Sequence, residues 1–287
     1  MRTAVIGGAG GMGKLLVEHF LGLGHSVIVS DPKSIDTKNR VEFTSNNTIA
    51  VKDADLVVIS VPMDLTTQIV QEVTPFMNEN SILCEIATLK SNIVEELKTL
   101  GNLGIQPLSI HPLFGPSSED LRKKYALIPV LDMRREKDLA NALFPDSQII
   151  VIESSEHDRF MALTLSLPYF ANIILASVLK DEDFTLIEQL SGTTFAIQFM
   201  LSMSIMSHSS EFQLALQTEN QNSIGVLKAF QTRFAEELSQ LENDPIAFQK
   251  SYRKTKSQLE EKLVLEQKYQ DMYRILKVLE EEVEERS

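Results

Sequence analysis

The chain has 287 residues, of which 40 are acidic and 27 are Lys or Arg, so its formal net charge is −13. This balance argues against a nucleic-acid-binding surface, because phosphate recognition needs clustered cationic side chains. Hydrophobic residues make up 43% of the sequence, too many for a disordered chain, and the length predicts about two domains. Cys84 is the single cysteine, and the first residues resemble a strand more than a signal peptide, which together predict a cytoplasmic protein.

The first half of the chain alternates short apolar runs with amphipathic segments, as a parallel sheet covered by helices does. Apolar residues at helical spacing predict helices over 12–23 and 65–77. The runs rich in Val, Ile and Leu predict strands buried on both faces. These predicted strands are 3–6, 26–29, 56–61, 81–86, 105–110, 126–131 and 148–152.

After residue 154 the remaining pattern is helical, so we expect a dinucleotide-binding domain over 1–154 and a helical substrate and dimerisation domain over 155–287. The predicted fold class is thus a Rossmann-type doubly wound α/β sheet followed by an all-α C-terminal domain. Two uncharged stretches, 160–179 and 189–210, reach the length of a membrane span. Their amide and hydroxyl groups favour buried helices or a subunit interface, so we expect no membrane span. These stretches and a short apolar seam over 265–283 predict a homodimer.

A glycine-rich loop follows the first strand and opens the first helix. It reads G-x-G-x-x-G, and glycines at such a turn allow the backbone to approach a pyrophosphate at the helix N-terminus. We therefore predict dinucleotide binding, and no metal site. The residues assigned to this loop are Gly8, Gly10, Gly11, Met12 and Gly13.

Asp31 ends the second strand about twenty residues after the glycines, where a carboxylate accepts hydrogen bonds from the ribose hydroxyls and repels a 2′-phosphate. It predicts NAD as the cofactor in preference to NADP. Lys33 could partly rescue phosphate binding, although a solvated loop lysine explains it as well. Val61 and Pro62 end the next strand at the edge where ligands bind, and are predicted to cover the adenine ribose; turn geometry is the alternative.

His111 follows the strand predicted over 105–110, at the carboxyl edge of the sheet. A histidine beside the cofactor crevice is well placed for proton transfer next to hydride transfer. A histidine that only hydrogen-bonds a loop is the alternative.

Four segments together make the chain resemble the prephenate and arogenate dehydrogenases of tyrosine biosynthesis. They are the glycine loop over 7–13, Glu85 to Lys90, His111-Pro112-Leu113-Phe114-Gly115-Pro116, and Glu156-His157-Asp158 followed by Ser166-Leu167-Pro168. Each segment is weak alone, but their order at successive strand ends is specific. The resemblance covers most of the chain.

The resemblance implies a catalytic role for His111, which would hydrogen-bond the C4 hydroxyl of prephenate or arogenate while hydride leaves C4 for the nicotinamide. Loss of the hydroxyl proton and then of CO2 yields the aromatic product. Thr88 matches the family hydroxyl that orients this histidine, and Lys90 matches the family lysine. Ser109, on the same strand as His111, is assigned to the substrate side.

Two departures from the family pattern concern substrate binding. Tyr169 stands where many members carry a histidine, and Ala196 aligns with the arginine that pairs with a substrate carboxylate. Either another Arg or Lys holds that carboxylate, or the site stays wet and binds the substrate weakly. Arg122 is the first candidate, because it lies shortly after the His111 segment.

Two other functions fit the same two-domain plan. One is another NAD(P) reductase of the β-hydroxyacid dehydrogenase type, but such proteins rely on a helix-borne lysine and the sequence has none between Ser154 and Leu179. The other is a non-catalytic dinucleotide sensor, consistent with Ala196. Retention of His111 and Thr88 speaks against the sensor.

Overall fold

The computed structural model describes residues 1–33, 40–118 and 123–286, with the side chains of 279, 280 and 282–286 left aside. The chain divides into two compact units, Met1–Met161 and Ala162–Ser287. The sequence pattern predicts this division at residue 154. The helix after that residue falls in the first unit because its His157 and Asp158 are buried there.

An eight-stranded sheet runs through the described part of the first unit, in the order β3-β2-β1-β4-β5-β6-β7-β8. Its strands are β1 (Arg2–Ile6), β2 (Ser26–Ser30), β3 (Glu42–Thr44), β4 (Leu56–Ile59), β5 (Ile82–Glu85), β6 (Gln106–Pro112), β7 (Lys124–Ile128) and β8 (Gln148–Val151). The helices of this unit are α1 (Gly11–Gly22), α2 (Asn47–Val51), α3 (Thr66–Val73), α4 (Val94–Thr99), α5 (Met133–Leu143) and α6 (Ser154–Met161).

Both faces of the sheet are covered, which explains the continuous apolar runs of its strands. On one face, Val5, Val29 and Val58 pack with Leu16 and Phe20 of α1. On the other face, a second group of buried side chains joins the strands to α2, α3 and α4, and it includes Ala4, Ile28, Val57, Ala50, Val70 and Leu97. The predicted Rossmann-type fold is confirmed.

The main differences from the sequence prediction concern β3 and β7. The edge strand β3 was missed because Glu42–Thr44 lacks an apolar run. Strand β7 ends at Ile128, three residues before its predicted end, because Pro129 has no N–H to donate to a ladder. It also pairs antiparallel with β6, which corrects the expectation of a wholly parallel sheet. The connection 113–123 is shorter than the dozen or more residues that a parallel crossover needs.

The second unit is helical throughout its described residues after the turn at 162–166. Its helices are α7 (Leu167–Leu179), α8 (Phe184–Leu190), α9 (Thr193–Met206), α10 (Ser210–Thr218), α11 (Ser223–Asn243), α12 (Pro245–Glu260) and α13 (Leu265–Arg286). Residues Ala162–Ser166 form a π-helical turn just before Pro168. A proline lacks the N–H of a regular helix and its ring crowds the preceding turn, which accounts for the distortion.

The helical run Ser154–Leu179 is long and apolar enough to cross a membrane by length and composition. Within the second unit, the Asn172 side chain of this run accepts hydrogen bonds from Gln198 and Ser202. The predicted absence of a membrane span stays a prediction.

Candidate active site

The glycine loop joins β1 to α1 at the carboxyl edge of the sheet. Gly7 has a φ of 81°, in the left-handed region where a side chain is strained, and its N–H bonds to the carbonyl of Ser30 at the end of β2. Gly10 precedes α1 and supplies no side-chain cap to the first-turn N–H groups. Those donors are therefore available to an anion, as at other dinucleotide sites.

Two of the predicted loop glycines have no room for a side chain. A Cβ on Gly8 would lie 2.6 Å from the Val29 side chain, and one on Gly13 would lie 2.2 Å from the carbonyl oxygen of Gly7. The loop and the first turn of α1 consequently pack directly against each other and against β2. This close approach is what a pyrophosphate cradle requires.

We expect Gly13→Ala to abolish measurable nucleotide binding, because the added methyl must displace backbone and cannot be accommodated by rotating a side chain. Gly22→Ala, in the same helix, is the matched control, since a Cβ there meets nothing within 4 Å. Titration calorimetry with NAD checks binding, and thermal unfolding checks the fold. Undiminished binding by Gly13→Ala would show that the loop does not hold the pyrophosphate.

Asp31 lies where the sequence predicted it, just after β2, and is buried. Its two carboxylate oxygens accept hydrogen bonds from the backbone N–H groups of Ala9, at 3.0 Å, and of Lys33, at 2.8 Å. A carboxylate has about four acceptor positions, so two remain for ribose hydroxyls. Asp31 thus holds the glycine loop through the Ala9 N–H, a role that the sequence pattern does not reveal. Its remaining acceptor positions are available to a ribose, as predicted.

Val61 and Pro62 follow β4, the neighbour of β1 on the side away from β2. The strand order reverses between β1 and β4, and ligands of doubly wound sheets bind in the crevice at such a point. The Val61 side chain lies 3.1 Å from the position of a Cβ on Gly7. Both residues therefore border the glycine loop, and their contact with the adenine ribose stays a prediction.

His111 lies inside β6, which extends one residue beyond it to Pro112, whereas the sequence predicted that the strand ends at residue 110. The extension arises because β7 pairs with β6, with Ala126 opposite His111. Further along the same segment, Pro116 comes within 3.1 Å of the position of a Cβ on Gly11. The histidine segment and the glycine loop are therefore neighbours at one edge of the sheet.

A chain of hydrogen bonds starts at the His111 ring. Its Nδ1 lies 3.0 Å from Nε2 of His157, and Nδ1 of His157 lies 2.8 Å from an oxygen of Asp158. Asp158 also accepts hydrogen bonds from the N–H groups of Lys90 and Ser91 and from the Ser91 hydroxyl. Nε2 of His111 has no hydrogen-bonding partner in the described part of the chain.

A buried ion pair lies beneath His111. Nζ of Lys90 donates to Glu85 at 2.7 Å and to the carbonyl oxygen of Ile110 at 2.6 Å, and both charged side chains are 0% exposed. Glu85 also accepts hydrogen bonds from the Ser109 hydroxyl and the Ala87 N–H. The pair therefore ties the end of β5 to the backbone just before His111.

The electrostatic surroundings keep His111 neutral. Burial, then the positive charge of Lys90 and the proximity of His157, hold the pKa of His111 well below its usual range, against the opposing effect of Asp158. Burial alone would raise the pKa of Asp158, but the hydrogen bonds from His157, Ser91 and Lys90 outweigh it and lower that pKa. The site therefore combines a neutral imidazole with an ionised carboxylate at neutral pH.

Two predicted site residues do not make the contacts expected of them. Thr88 was expected to orient His111, but no hydrogen bond joins them, and the ring is bonded to His157 instead. Ser109 was expected to face the substrate. It is completely buried and donates its hydroxyl hydrogen to Glu85, which argues against a substrate contact.

The roles of the other two predicted substrate residues stay predictions. Arg122 falls outside the described residues. Tyr169 is on α7 in the second unit, where its ring packs against His208 and Phe212, and burial raises its pKa. Its place on the substrate side stays a prediction.

The contacts that His157 and Asp158 make with the His111 segment could not be predicted from the apolar pattern. A signal is present in the sequence, because Glu156-His157-Asp158 belongs to the family resemblance together with Glu85 and Lys90. Adjacent titratable residues are expensive to bury unless they are paired. That cost could have suggested a buried network.

The doubly wound sheet and its glycine loop define the class, a Rossmann-type dinucleotide-binding protein, and the segment that carries His111 adjoins the loop. Comparison with known proteins shows which proteins the chain resembles. Residues 19–132 match the family model described as the nucleotide-binding domain of prephenate dehydrogenase.

Curated relatives agree with this match. The chain is 27% identical over 213 residues to a probable arogenate/prephenate dehydrogenase of Methanocaldococcus jannaschii, covering 71% of this chain and 48% of that protein. It is 26% identical to the T-protein of Enterobacter agglomerans, covering 87% of this chain and 65% of the relative. The chain therefore spans about half to two thirds of the length of these relatives.

Solved structures share the fold. Prephenate dehydrogenase of Aquifex aeolicus, determined in complex with hydroxyphenyl propionate and NAD⁺, aligns with a TM-score of 0.70 at 15% identity, covering 91% of this chain and 98% of the other. Arogenate dehydrogenase of Synechocystis aligns with a TM-score of 0.69 at 17% identity, covering 92% and 100%. These structures show the fold, and the family model and the curated relatives confirm the predicted resemblance to the prephenate and arogenate dehydrogenases.

Proposed function

We propose that this protein catalyses the NAD-dependent oxidative decarboxylation of prephenate to 4-hydroxyphenylpyruvate, or of arogenate to tyrosine, in tyrosine biosynthesis. The observation that carries the proposal is the neutral His111, whose segment adjoins the glycine loop through Pro116 and whose Nε2 has no partner among the described residues. The similarity to prephenate and arogenate dehydrogenases supports the same reaction. The protein is proposed to act in the cytoplasm.

The chemistry needs one base and one hydride acceptor. NAD, when bound, supplies the hydride acceptor. Nε2 of His111 accepts the proton of the C4 hydroxyl as C4 loses hydride, so that a carbonyl forms at C4. The bond from the ring to the carboxylate carbon then breaks, CO2 leaves, and the electron pair completes the aromatic ring. Protonation of the resulting phenolate oxygen, by the imidazolium of His111, returns the base to its neutral form.

The residues around the crevice fit NAD. The uncapped N-terminus of α1 offers N–H donors to a pyrophosphate, and Gly8 and Gly13 leave no side chain in its way. The carboxylate of Asp31 favours ribose hydroxyls over a 2′-phosphate. NADP is therefore the less suitable cofactor.

An absorbance assay at the NADH band, with prephenate and arogenate supplied separately, tests the function. We expect NADH to form with one or both acids. If neither acid yields NADH while NAD binds, the protein is a dinucleotide sensor or a reductase for another substrate. Addition of 4-hydroxyphenylpyruvate as a product standard confirms the identity of the reaction.

The cofactor preference gives a separate prediction. We expect NAD to bind more tightly than NADP, and Asp31→Ala to reduce the ratio of the two affinities roughly tenfold, the usual effect of losing a hydrogen bond to a charged group. The substitution also removes the acceptor of the Ala9 N–H, so both affinities should fall and the ratio is the informative quantity. Fluorescence titration measures it. Tighter binding of NADP by the unaltered protein would contradict the role of Asp31.

We also propose a homodimer formed through the second unit, without a membrane span. Ile224, Phe230, Phe234, Leu238 and Leu241 lie along one face of α11 and are between 43% and 62% exposed. Contiguous apolar surface of this kind marks an interface.

The first two turns of the Ser154–Leu179 run are anchored in the nucleotide-binding unit by Asp158, which favours a soluble arrangement of that helix.

Sedimentation velocity at micromolar concentration checks the assembly. We expect a dimer for the unaltered protein and a monomer for Phe234→Asp, because a charge placed in an apolar interface is desolvated without a partner. Thr232→Asp, on the opposite side of the same helix, is the matched control and should remain dimeric. A monomeric unaltered protein would contradict the proposal.

A further inference from the structure

Hydrogen-bond partners determine which of the two nitrogens of a histidine ring carries the proton, and His111 and His157 are joined by such a bond. A neutral imidazole has one N–H donor and one bare nitrogen acceptor, and the partner of one nitrogen decides the state of the other. His157 has partners on both nitrogens, and one of them is a carboxylate. The proton positions along the chain are therefore determined from the Asp158 end.

An ionised carboxylate only accepts hydrogen bonds, so Nδ1 of His157 must carry the hydrogen that is donated to Asp158. Asp158 is held in its ionised form by the N–H groups of Lys90 and Ser91 and by the Ser91 hydroxyl. When the His157 ring carries one proton, that proton is on Nδ1, so Nε2 is bare and accepts a hydrogen bond. Its neighbour at 3.0 Å is Nδ1 of His111, which must be the donor.

We propose that His157, held by Asp158, is a positioning residue that fixes His111 as its Nδ1–H tautomer and leaves Nε2 as the bare nitrogen that accepts the substrate proton. The proposal deepens the proposed function and rests on it for the identity of the proton donor. His157 acts through His111 and is not itself in contact with the reacting atoms.

Burial makes this preference strong. His157 is 1% exposed and Asp158 is 3% exposed, so water cannot substitute for either acceptor. In the opposite tautomer of His111, two bare nitrogens would face each other at 3.0 Å, and no donor would lie between them. Leaving a buried polar group without its partner shifts an equilibrium by roughly tenfold or more. Among the described residues, Lys90 is a further charged group that acts on the His111 ring.

Burial and hydrogen bonding also account for the different roles of His111 and His157. Both nitrogens of His157 are occupied, so its ring is held in one orientation. His111 is 7% exposed, the more accessible of the two, and has one nitrogen without a partner in the described residues. The arrangement resembles the way a carboxylate orients the base of a hydrolytic triad, with a second imidazole inserted between them.

Long-range ¹H–¹⁵N correlation spectra of protein labelled with ¹⁵N-histidine report the tautomers directly, with neither substrate nor cofactor. We expect His111 to show a protonated Nδ1 and a bare Nε2 at pH 7, with signals assigned by their loss in His111→Asn. In His157→Leu, which removes the acceptor at similar volume, the His111 proton should move to Nε2. In His157→Gln, whose carbonyl oxygen can accept, it should stay on Nδ1.

We expect kcat to depend on which nitrogen of His111 carries the proton. We expect His157→Leu to lower kcat about tenfold or more with little change in KM, and His157→Gln to recover kcat to within a few fold of the unaltered enzyme. Thermal unfolding of both variants separates this effect from loss of fold. His25→Gln, at the imidazole bonded to Thr3, is the control for a general effect of replacing a histidine.

The proposal is overturned if His111 of the unaltered protein carries its proton on Nε2, or if that proton stays on Nδ1 in His157→Leu. It is also overturned if His157→Gln keeps the Nδ1–H tautomer and is nevertheless as slow as His157→Leu. Because the spectra need no substrate, the tautomer result holds even if neither prephenate nor arogenate is oxidised. Failure of the positioning role and failure of the proposed function are thereby distinguished.

Discussion

Replacing His111 by Asn should lower kcat by about a hundredfold or more while leaving the affinity for NAD nearly unchanged, since general acid–base catalysis commonly contributes a factor of this size. Asparagine has an amide nitrogen and oxygen but cannot accept a proton near neutral pH. The backbone of residue 111 pairs with Ala126 in the sheet, so we expect the fold to survive. Steady-state assays with the preferred acid and calorimetry with NAD measure the two quantities.

The pH dependence of the unaltered enzyme follows from the same residue. His111 must be neutral to accept the proton, and burial, Lys90 and His157 hold its pKa well below the usual value of about 6.5. Lowering the pH protonates the base only below that depressed pKa. We therefore expect kcat/KM to stay level from pH 7 down through pH 6.5 and to fall at lower pH, and this limb should be absent in His111→Asn.

His25→Asn is the matched control, because this histidine bonds to Thr3 at the amino end of the sheet. Its kcat should remain within a factor of about two, as for substitutions remote from a reacting centre. An active His111→Asn enzyme with an unaltered pH profile would show that another group is the base.

Replacing Lys90 by Met should lower the free energy of unfolding by about 3–5 kcal/mol, the usual cost of removing one partner of a buried ion pair. The Glu85 carboxylate would remain in a fully buried position without its counter-charge. The carbonyl of Ile110 would lose its donor at the same time. Urea denaturation followed by circular dichroism measures the change.

Lys98→Met is the matched control, because its ion pair with Glu95 is exposed to solvent and should contribute no more than about 1 kcal/mol. If Lys90→Met does not fold, a double substitution tests the same point. Glu85→Gln combined with Lys90→Met should recover part of the stability, because no uncompensated charge remains. Equal losses for Lys90→Met and Lys98→Met would contradict the importance of the buried pair.

Much of the first unit could be predicted from the sequence because its signals are local. Seven of the eight strands in the described residues are continuous apolar runs, and the exception, Glu42–Thr44, is a short edge strand without such a run. The glycine loop and Asp31 could be placed because a tight turn and a strand end are specified within a few residues. The antiparallel pairing of β7 follows from the short connection before it, and the apolar pattern of a strand does not indicate whether the strand pairs parallel or antiparallel.

The candidate site was predictable only in part. The position of His111 near a strand end was evident, but its orienting partner was assigned to Thr88, and Ser109 was assigned to substrate. Which way Ser109 points depends on the register of β6 against β5, and the structure turns its hydroxyl to Glu85. A shift of one residue in that register would have placed it on the other face of the sheet.

The sequence by itself determined the alternation of strands and helices, the glycine loop and the presence of a histidine at the edge of the sheet, because periodicity and turn chemistry act between neighbours in the chain. Only the tertiary structure decided the proton arrangement of that histidine. His157 contacts His111 from 46 positions further along the chain, and Asp158 reaches back to the N–H of Lys90, 68 positions before it. Such contacts depend on packing and register, which fix distances to within an ångström and which a linear pattern does not contain.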